Sequence, residues 1–183
     1  MEIIQSFDWA VLDGIQQVFS CGFLDTVMPV ITALGNIGAV WLIAAAVMLF
    51  FKKYRRCGID IILVTAVGAL LINLIIKPLV ARDRPCWTNE DIELLVAIPQ
   101  DYSFPSGHSF QSFASATVIF IHHRRMGILA FALAMLIAFS RLYLYVHFPT
   151  DVLCGIAIGI VLAIAVCAVS RRIKKLDKLL KTE

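Results

Sequence analysis

The chain has 183 residues, 60% of them apolar, a formal net charge of +3 and a mean hydropathy of +0.86. That composition excludes a water-soluble globular domain. The small net charge, with basic residues gathered at the ends of apolar runs, excludes a nucleic-acid partner. One membrane-embedded domain over residues 1–183 is expected.

Residues 5–21 place Phe7, Ala10, Val11, Ile15, Val18 and Phe19 on roughly one helical stripe. The length and acidic residues predict an interfacial helix within residues 1–22 rather than a span. A cleavable signal is not expected, since residues 1–25 hold Glu2, Asp8, Asp13 and Asp25 and no Lys or Arg. Residues 24–51 are apolar but interrupted at Gly35-Asn36 and Gly38. Each half is too short to span at ~1.5 Å per residue, which predicts one long, kinked helix. Further helices are predicted over about 58–77, 106–122, 127–146 and 151–170. The expected fold is all-α: a polytopic transmembrane bundle of five spans plus an N-terminal interfacial helix. Six spans, with the N-terminal segment also crossing, is the alternative. The polar connection 86–104, with Glu90, Asp91, Glu93 and Asp101, reads as a lid or binding loop.

Basic residues set the orientation. Lys52, Lys53, Arg55 and Arg56 follow the first span, Arg124 and Arg125 separate the third and fourth, and residues 171–183 form a basic tail. With five spans all three groups share one side, and the positive-inside rule makes it cytoplasmic. Lys77, Arg82, Arg84 and Arg141 remain for the outer side. A multi-pass protein of the plasma membrane is expected, with its site facing away from the cytoplasm.

The same count brings three polar blocks to one outer rim. Lys77 and Arg84 supply cations beside Pro85, and Arg141 supplies a third. Arg grips two phosphate oxygens with its fork, while Lys acts as a point charge. Ser106 and Gly107 open a helix whose N-terminal N–H groups make an anion seat. His147 and Asp151 lie four apart across Pro149, so the carboxylate can orient one ring nitrogen and leave the other as nucleophile. His108 is then the candidate acid for the departing oxygen. No carboxylate cluster resembles a magnesium site, so no metal or other cofactor is expected and three cations take that role.

The blocks K-x6-RP (Lys77 to Pro85), PSGH (Pro105 to His108) and SR-x5-H-x3-D (Ser140 to Asp151) resemble the signature of the type 2 phosphatidic acid phosphatase family, relatives of the vanadium-dependent haloperoxidases. The resemblance covers about Leu24 to Ser170 and matches every signature position in order. It implies a helical bundle, a phosphohistidine intermediate on His147, His108 as acid and Asp151 as orienter. It also implies phosphate binding by Lys77, Arg84, Ser106, Gly107 and Arg141. Many members have six spans, where five are predicted here. The expected activity is metal-independent dephosphorylation of a lipid phosphate or diphosphate: undecaprenyl diphosphate, phosphatidylglycerol phosphate or phosphatidic acid. Head selectivity is expected in residues 86–104 and the N-terminal helix. The alternatives are phosphoryl transfer to an alcohol, a haloperoxidase, and a non-catalytic protein that binds lipid headgroups.

Duller readings apply elsewhere. Lys77 and Arg141, taken singly, would snorkel at helix ends. His122 and His123, beside Arg124 and Arg125, read as solvated interface residues. Arg82 reads either as a guide for anionic headgroups or as a salt-bridge partner of Asp83. Gly155, Gly159, Ala163 and Cys167 continue at four-residue steps from Asp151 and predict close helix packing with Asp151 on the inward face.

Overall fold

The computed structural model describes residues 2–89 and 92–180, with side chains as far as Ile173. Glu90 and Asp91 of the polar connection lie outside the described residues, as does Lys181 of the basic tail. Every regular element among the described residues is a helix, and none is a strand. Helix α1 (Glu2–Phe19) is followed by α2 (Gly22–Leu34), a 3-10 turn (Asn36–Gly38) and α3 (Ala39–Phe50). Ile37 and Gly38 have φ of 56° and 70°, and the chain bends by 46° between α2 and the segment Asn36–Phe50. The predicted kinked helix is thus realised as two helices around a left-handed break, which Gly38 tolerates.

Next come α4 (Arg55–Ala69), a π-helical segment (Leu70–Ile76), α5 (Lys77–Val80) and α6 (Pro85–Thr88). The chain closes with α7 (Gly107–His122), α8 (Arg124–Tyr143) and α9 (Pro149–Leu180). In the π segment the Lys77 N–H donates to the carbonyl of Ile72, five residues back. Such an insertion is frequent at functional sites.

Among the described residues three helical stretches are long and apolar enough to cross a membrane: Arg55–Thr88, Arg124–Tyr143 and Pro149–Ile173. The bent pair α2–α3 makes a fourth if taken as one span. Helix α7, with 16 residues, falls short by length. It is instead the axis of the bundle, buried at every residue from Ser109 to Ile119 and enclosed by α4, α8 and α9.

Packing against α7 explains the small-residue stripe. Gly155, Gly159, Ala163 and Cys167 are all buried. A Cβ on Gly155 would lie 2.6 Å from the Ser106 carbonyl oxygen, and one on Gly159 would lie 2.5 Å from that of Phe110. The α9 backbone therefore lies directly on α7, and Asp151 begins on the inward face as predicted. At the far end of α7, His122 Nε2 is 2.8 Å from Asp60 Oδ2, and Ser170 Oγ donates to Asp60 Oδ1 at 2.6 Å. His122 is thus a partner for a buried carboxylate rather than a solvated residue, while His123 packs edge-on against Tyr54 at 4.7 Å.

Replacing Gly159 by Ala forces two backbones apart and is expected to cost about 1–3 kcal/mol of stability. Unfolding in detergent checks this, with Gly14→Ala, whose added Cβ meets nothing within 4 Å, as the control that shows no loss.

Candidate active site

Five helix ends converge at the end of the bundle opposite Asp60. Lys77 leads α5 directly after the π segment, and Arg84 caps α6 from an extended conformation. Ser106 caps α7, its side chain accepting from the Ser109 N–H at 3.4 Å. Arg141 lies in the last turn of α8, and Asp151 in the first turn of α9 behind Pro149. The short connection between α8 and α9 carries His147.

His147 is 1% exposed. Its Nε2 is 3.1 Å from Arg84 Nη1, so this nitrogen faces the cations. Its Nδ1 lies 3.6 Å from Asp151 Oδ2, longer than a direct hydrogen bond. The Ser103 hydroxyl fills that angle, 3.4 Å from Nδ1 and donating a short bond to the same carboxylate oxygen. Phe148 N–H donates to Asp151 Oδ2 at 2.9 Å. Burial first, then the charges of Arg84, Arg141 and Lys77, hold the His147 imidazole well below its ordinary pKa. At neutral pH the ring is therefore uncharged and keeps a lone pair.

The three cations are buried, and their donors are only partly used. Arg84 donates to the carbonyls of Asp101 and Val146, both at 2.6 Å, and to Asp101 Oδ1 at 2.7 Å. Arg141 Nη1 donates to Thr32 Oγ1 at 2.7 Å, and its buried Nε has no partner. Lys77 Nζ makes a short contact with Asp101 Oδ2. One exposed-loop carboxylate thus bridges two of the three cations. Burial alone would raise its pKa, but Lys77 and Arg84 outweigh that and hold it down to about 2.

Lys77, Arg84, Gly107, His108, Arg141 and His147 line one cavity of about 750 Å³. Its polar end is this cluster. Its apolar walls come from α2, the 3-10 turn, the π segment and the loop 96–99, among them Pro29, Ile37, Ile72 and Ile98. Among the described residues, α1 contributes nothing to the lining. Ser106 and Asp151 stand behind the lining residues, both fully buried. All eight predicted residues therefore meet at one end of the bundle.

Sequence reasoning missed four participants. Ser103 and Asp101 are in the polar loop, where neither carried a spacing signal. Asn36, in the helix break, sets its Oδ1 3.0 Å from His108 Nε2 and fixes that ring. Arg82 pairs with two other carboxylates and not with Asp83. It donates to Asp8 Oδ2 at 2.6 Å and to Asp151 Oδ1 at 2.7 Å. Cys21 and Cys86 are free thiols. Asp60, His122 and Cys167 are the metal-type cluster found among the described residues. They lie at the far end of the bundle, with both Asp60 oxygens already hydrogen-bonded.

A family model described as the PAP2 superfamily matches residues 58–175. The chain is 34% identical over 176 residues to phosphatidylglycerophosphatase B of Bacillus subtilis, covering 90% of this chain and 76% of that one. It is 32% identical over 145 residues to an undecaprenyl-diphosphatase of Sulfolobus acidocaldarius, covering 78% of this chain and 70% of that protein. It is also similar to the crystal structure of a transmembrane PAP2-type phosphatidylglycerolphosphate phosphatase from Bacillus subtilis. That likeness has a TM-score of 0.76 at 32% identity, over 94% of this chain and 89% of the other.

Ser103→Ala removes one of the donors to a buried carboxylate oxygen. It is expected to lower stability by about 1.5–3 kcal/mol, the value of a hydrogen bond to a charged group. Thermal unfolding of the purified variant beside wild type measures this.

Proposed function

Because the chain belongs to the PAP2 superfamily and is a phosphatase, we propose that it removes phosphate from a lipid phosphate or diphosphate by way of a phosphohistidine on His147. Undecaprenyl diphosphate and phosphatidylglycerol phosphate are the substrates favoured by the names of its relatives. The observation that carries this reading is the single cavity in which a buried cation cluster and His147 open onto apolar walls. A phosphate head and a hydrocarbon tail fit its two ends.

The phosphate oxygens are neutralised by Lys77, Arg84 and Arg141, with the N-terminus of α7 behind them at Ser106 and Gly107. His147 Nε2 attacks phosphorus, and the P–O bond to the lipid breaks. His108 gives its proton to the departing oxygen. A water molecule then attacks the phosphohistidine, the P–N bond breaks, and His108 recovers a proton from that water. Asp151 and Ser103 hold Nδ1 while positive charge develops on the ring.

Five spans plus α1 at the interface complete the reading. The count takes α7 as a short span sheathed by its neighbours, so that lipid never has to match its length. Lys52, Lys53, Arg55, Arg56, Arg124, Arg125, Arg171 and Arg172 then fall on the cytoplasmic side, and the cavity faces outward.

Purified protein is expected to release phosphate from undecaprenyl diphosphate or phosphatidylglycerol phosphate with EDTA present. His147→Ala is expected to lose at least ~10³-fold in kcat. Inhibition by EDTA, or turnover by His147→Ala at the wild-type rate, overturns the mechanism. Asp101→Asn removes the carboxylate that competes for Lys77 and Arg84. It is expected to tighten inhibition by inorganic phosphate, and weaker inhibition counts against a shared anion seat.

A further inference from the structure

Helix α1 lies outside the residues matched by the family model, contributes nothing to the described cavity lining, and yet buries a carboxylate. Asp8 is fully buried. Its Oδ1 accepts the Thr150 N–H at 3.0 Å, and its Oδ2 accepts Thr150 Oγ1 and Arg82 Nη2, both at 2.6 Å. A helix that served only to rest on a membrane surface has no physical reason to carry an acid there.

Arg82 is the link. Its Nη2 also donates to Gln5 Oε1 at 2.9 Å, while its Nη1 donates to Thr150 Oγ1 at 2.8 Å and to Asp151 Oδ1 at 2.7 Å. The guanidinium lies over the Phe148 ring at 4.2 Å. One planar cation thus joins two buried carboxylates, one on α1 and the other beside His147. Lysine cannot make that double contact.

The rest of the same α1 face holds the His147 connection. Trp9 packs edge-on against Phe148 at 5.0 Å, Leu12 is buried against Tyr145 and Phe148, and Tyr145 Oη donates to Asp13 at 2.9 Å. Gln16 Nε2 donates to the Tyr143 carbonyl at 2.6 Å. Tyr145 has φ of 57°, a left-handed conformation that costs a non-glycine residue about 1–2 kcal/mol. The contacts at positions 8, 9, 12, 13 and 16 keep it there.

We propose that α1 is a positioning element of the active site: Asp8, acting through Arg82, fixes Asp151 and with it the imidazole of His147. This rests on the phosphohistidine reading above. Arg82 supplies the donor to Asp151 Oδ1, leaving Oδ2 to Ser103, Phe148 N–H and the imidazole. Asp8 keeps the guanidinium from turning wholly onto Asp151.

The test is steady-state phosphate release from farnesyl diphosphate in detergent micelles by wild type, Asp8→Asn, Arg82→Lys, Arg82→Ala and His147→Ala. Inhibition by inorganic phosphate is measured alongside. Asp8→Asn and Arg82→Lys are expected to lose roughly 10–100-fold in kcat, as when a group that orients a reacting residue is removed. KM and the inhibition constant for phosphate stay within about threefold, because the cation cluster is intact. Guanidinium ion restores part of kcat to Arg82→Ala and none to His147→Ala. Unchanged kcat in both Asp8→Asn and Arg82→Lys, with His147→Ala inactive, overturns this inference alone. So does a loss of phosphate inhibition equal to the loss of kcat, which marks a general loosening. If Asp8→Asn does not fold, the Arg82→Ala rescue decides, and failure of rescue in folded protein overturns the proposal. Turnover by His147→Ala overturns the phosphohistidine reading and this inference with it.

Discussion

Surplus positive charge held away from water organises this molecule. Lys77, Arg84 and Arg141 are each no more than 5% exposed, and they converge on one cavity. Burying a cation is costly unless it is paired. Here the pairing is incomplete: carbonyl oxygens and Thr32 take some donors, and one carboxylate from an exposed loop takes others. Arg141 Nε takes none. The unfilled remainder is an electrostatic demand for an anion, and together with burial, the larger cause, it keeps the His147 imidazole neutral.

Meeting that demand requires precise backbones around the cluster. Helix α7 brings its N-terminus to the cavity because α9 presses on it through Gly155 and Gly159. The contact at Gly155 is with the carbonyl of Ser106, so the packing seam and the N-terminus of α7 share a residue. Asp151 starts the same seam, and its own carbonyl accepts the Ser106 N–H at 3.1 Å. Core packing and site geometry are therefore one problem at this end of the bundle, whereas the Asp60–His122–Ser170 network ties the other end independently.

Much of this was legible in the chain, for a physical reason. Ionisable groups are rare in apolar sequence, so Lys77, Arg84, His108, Arg141, His147 and Asp151 stand out by their cost. Small residues at four-residue steps announced a close helix contact on one face of α9, and the structure supplies α7 as the partner. What stayed hidden were residues whose role depends on a long-range partner. Ser103 and Asp101 look like ordinary loop polarity, and Asn36 like a helix breaker. Asp8 reads as one acid on an amphipathic stripe until Arg82, 74 residues away, is seen beside it. His122 misled for the same reason, since its partner Asp60 sits on another helix. Length separates α7 from the other expected spans: it has 16 residues, and protein encloses it on several sides.

The π segment before Lys77 sets a rotational phase. Each residue of a regular helix advances the chain by about 100°. The wider turn at Leu70–Ile76 absorbs an extra residue, so α4 and Lys77 meet different neighbours than one unbroken α-helix would give them. Deleting a single residue from this turn would leave a smoother rod of the same composition. The ammonium would then swing toward the hydrocarbon, and a hole would open in the cation ring.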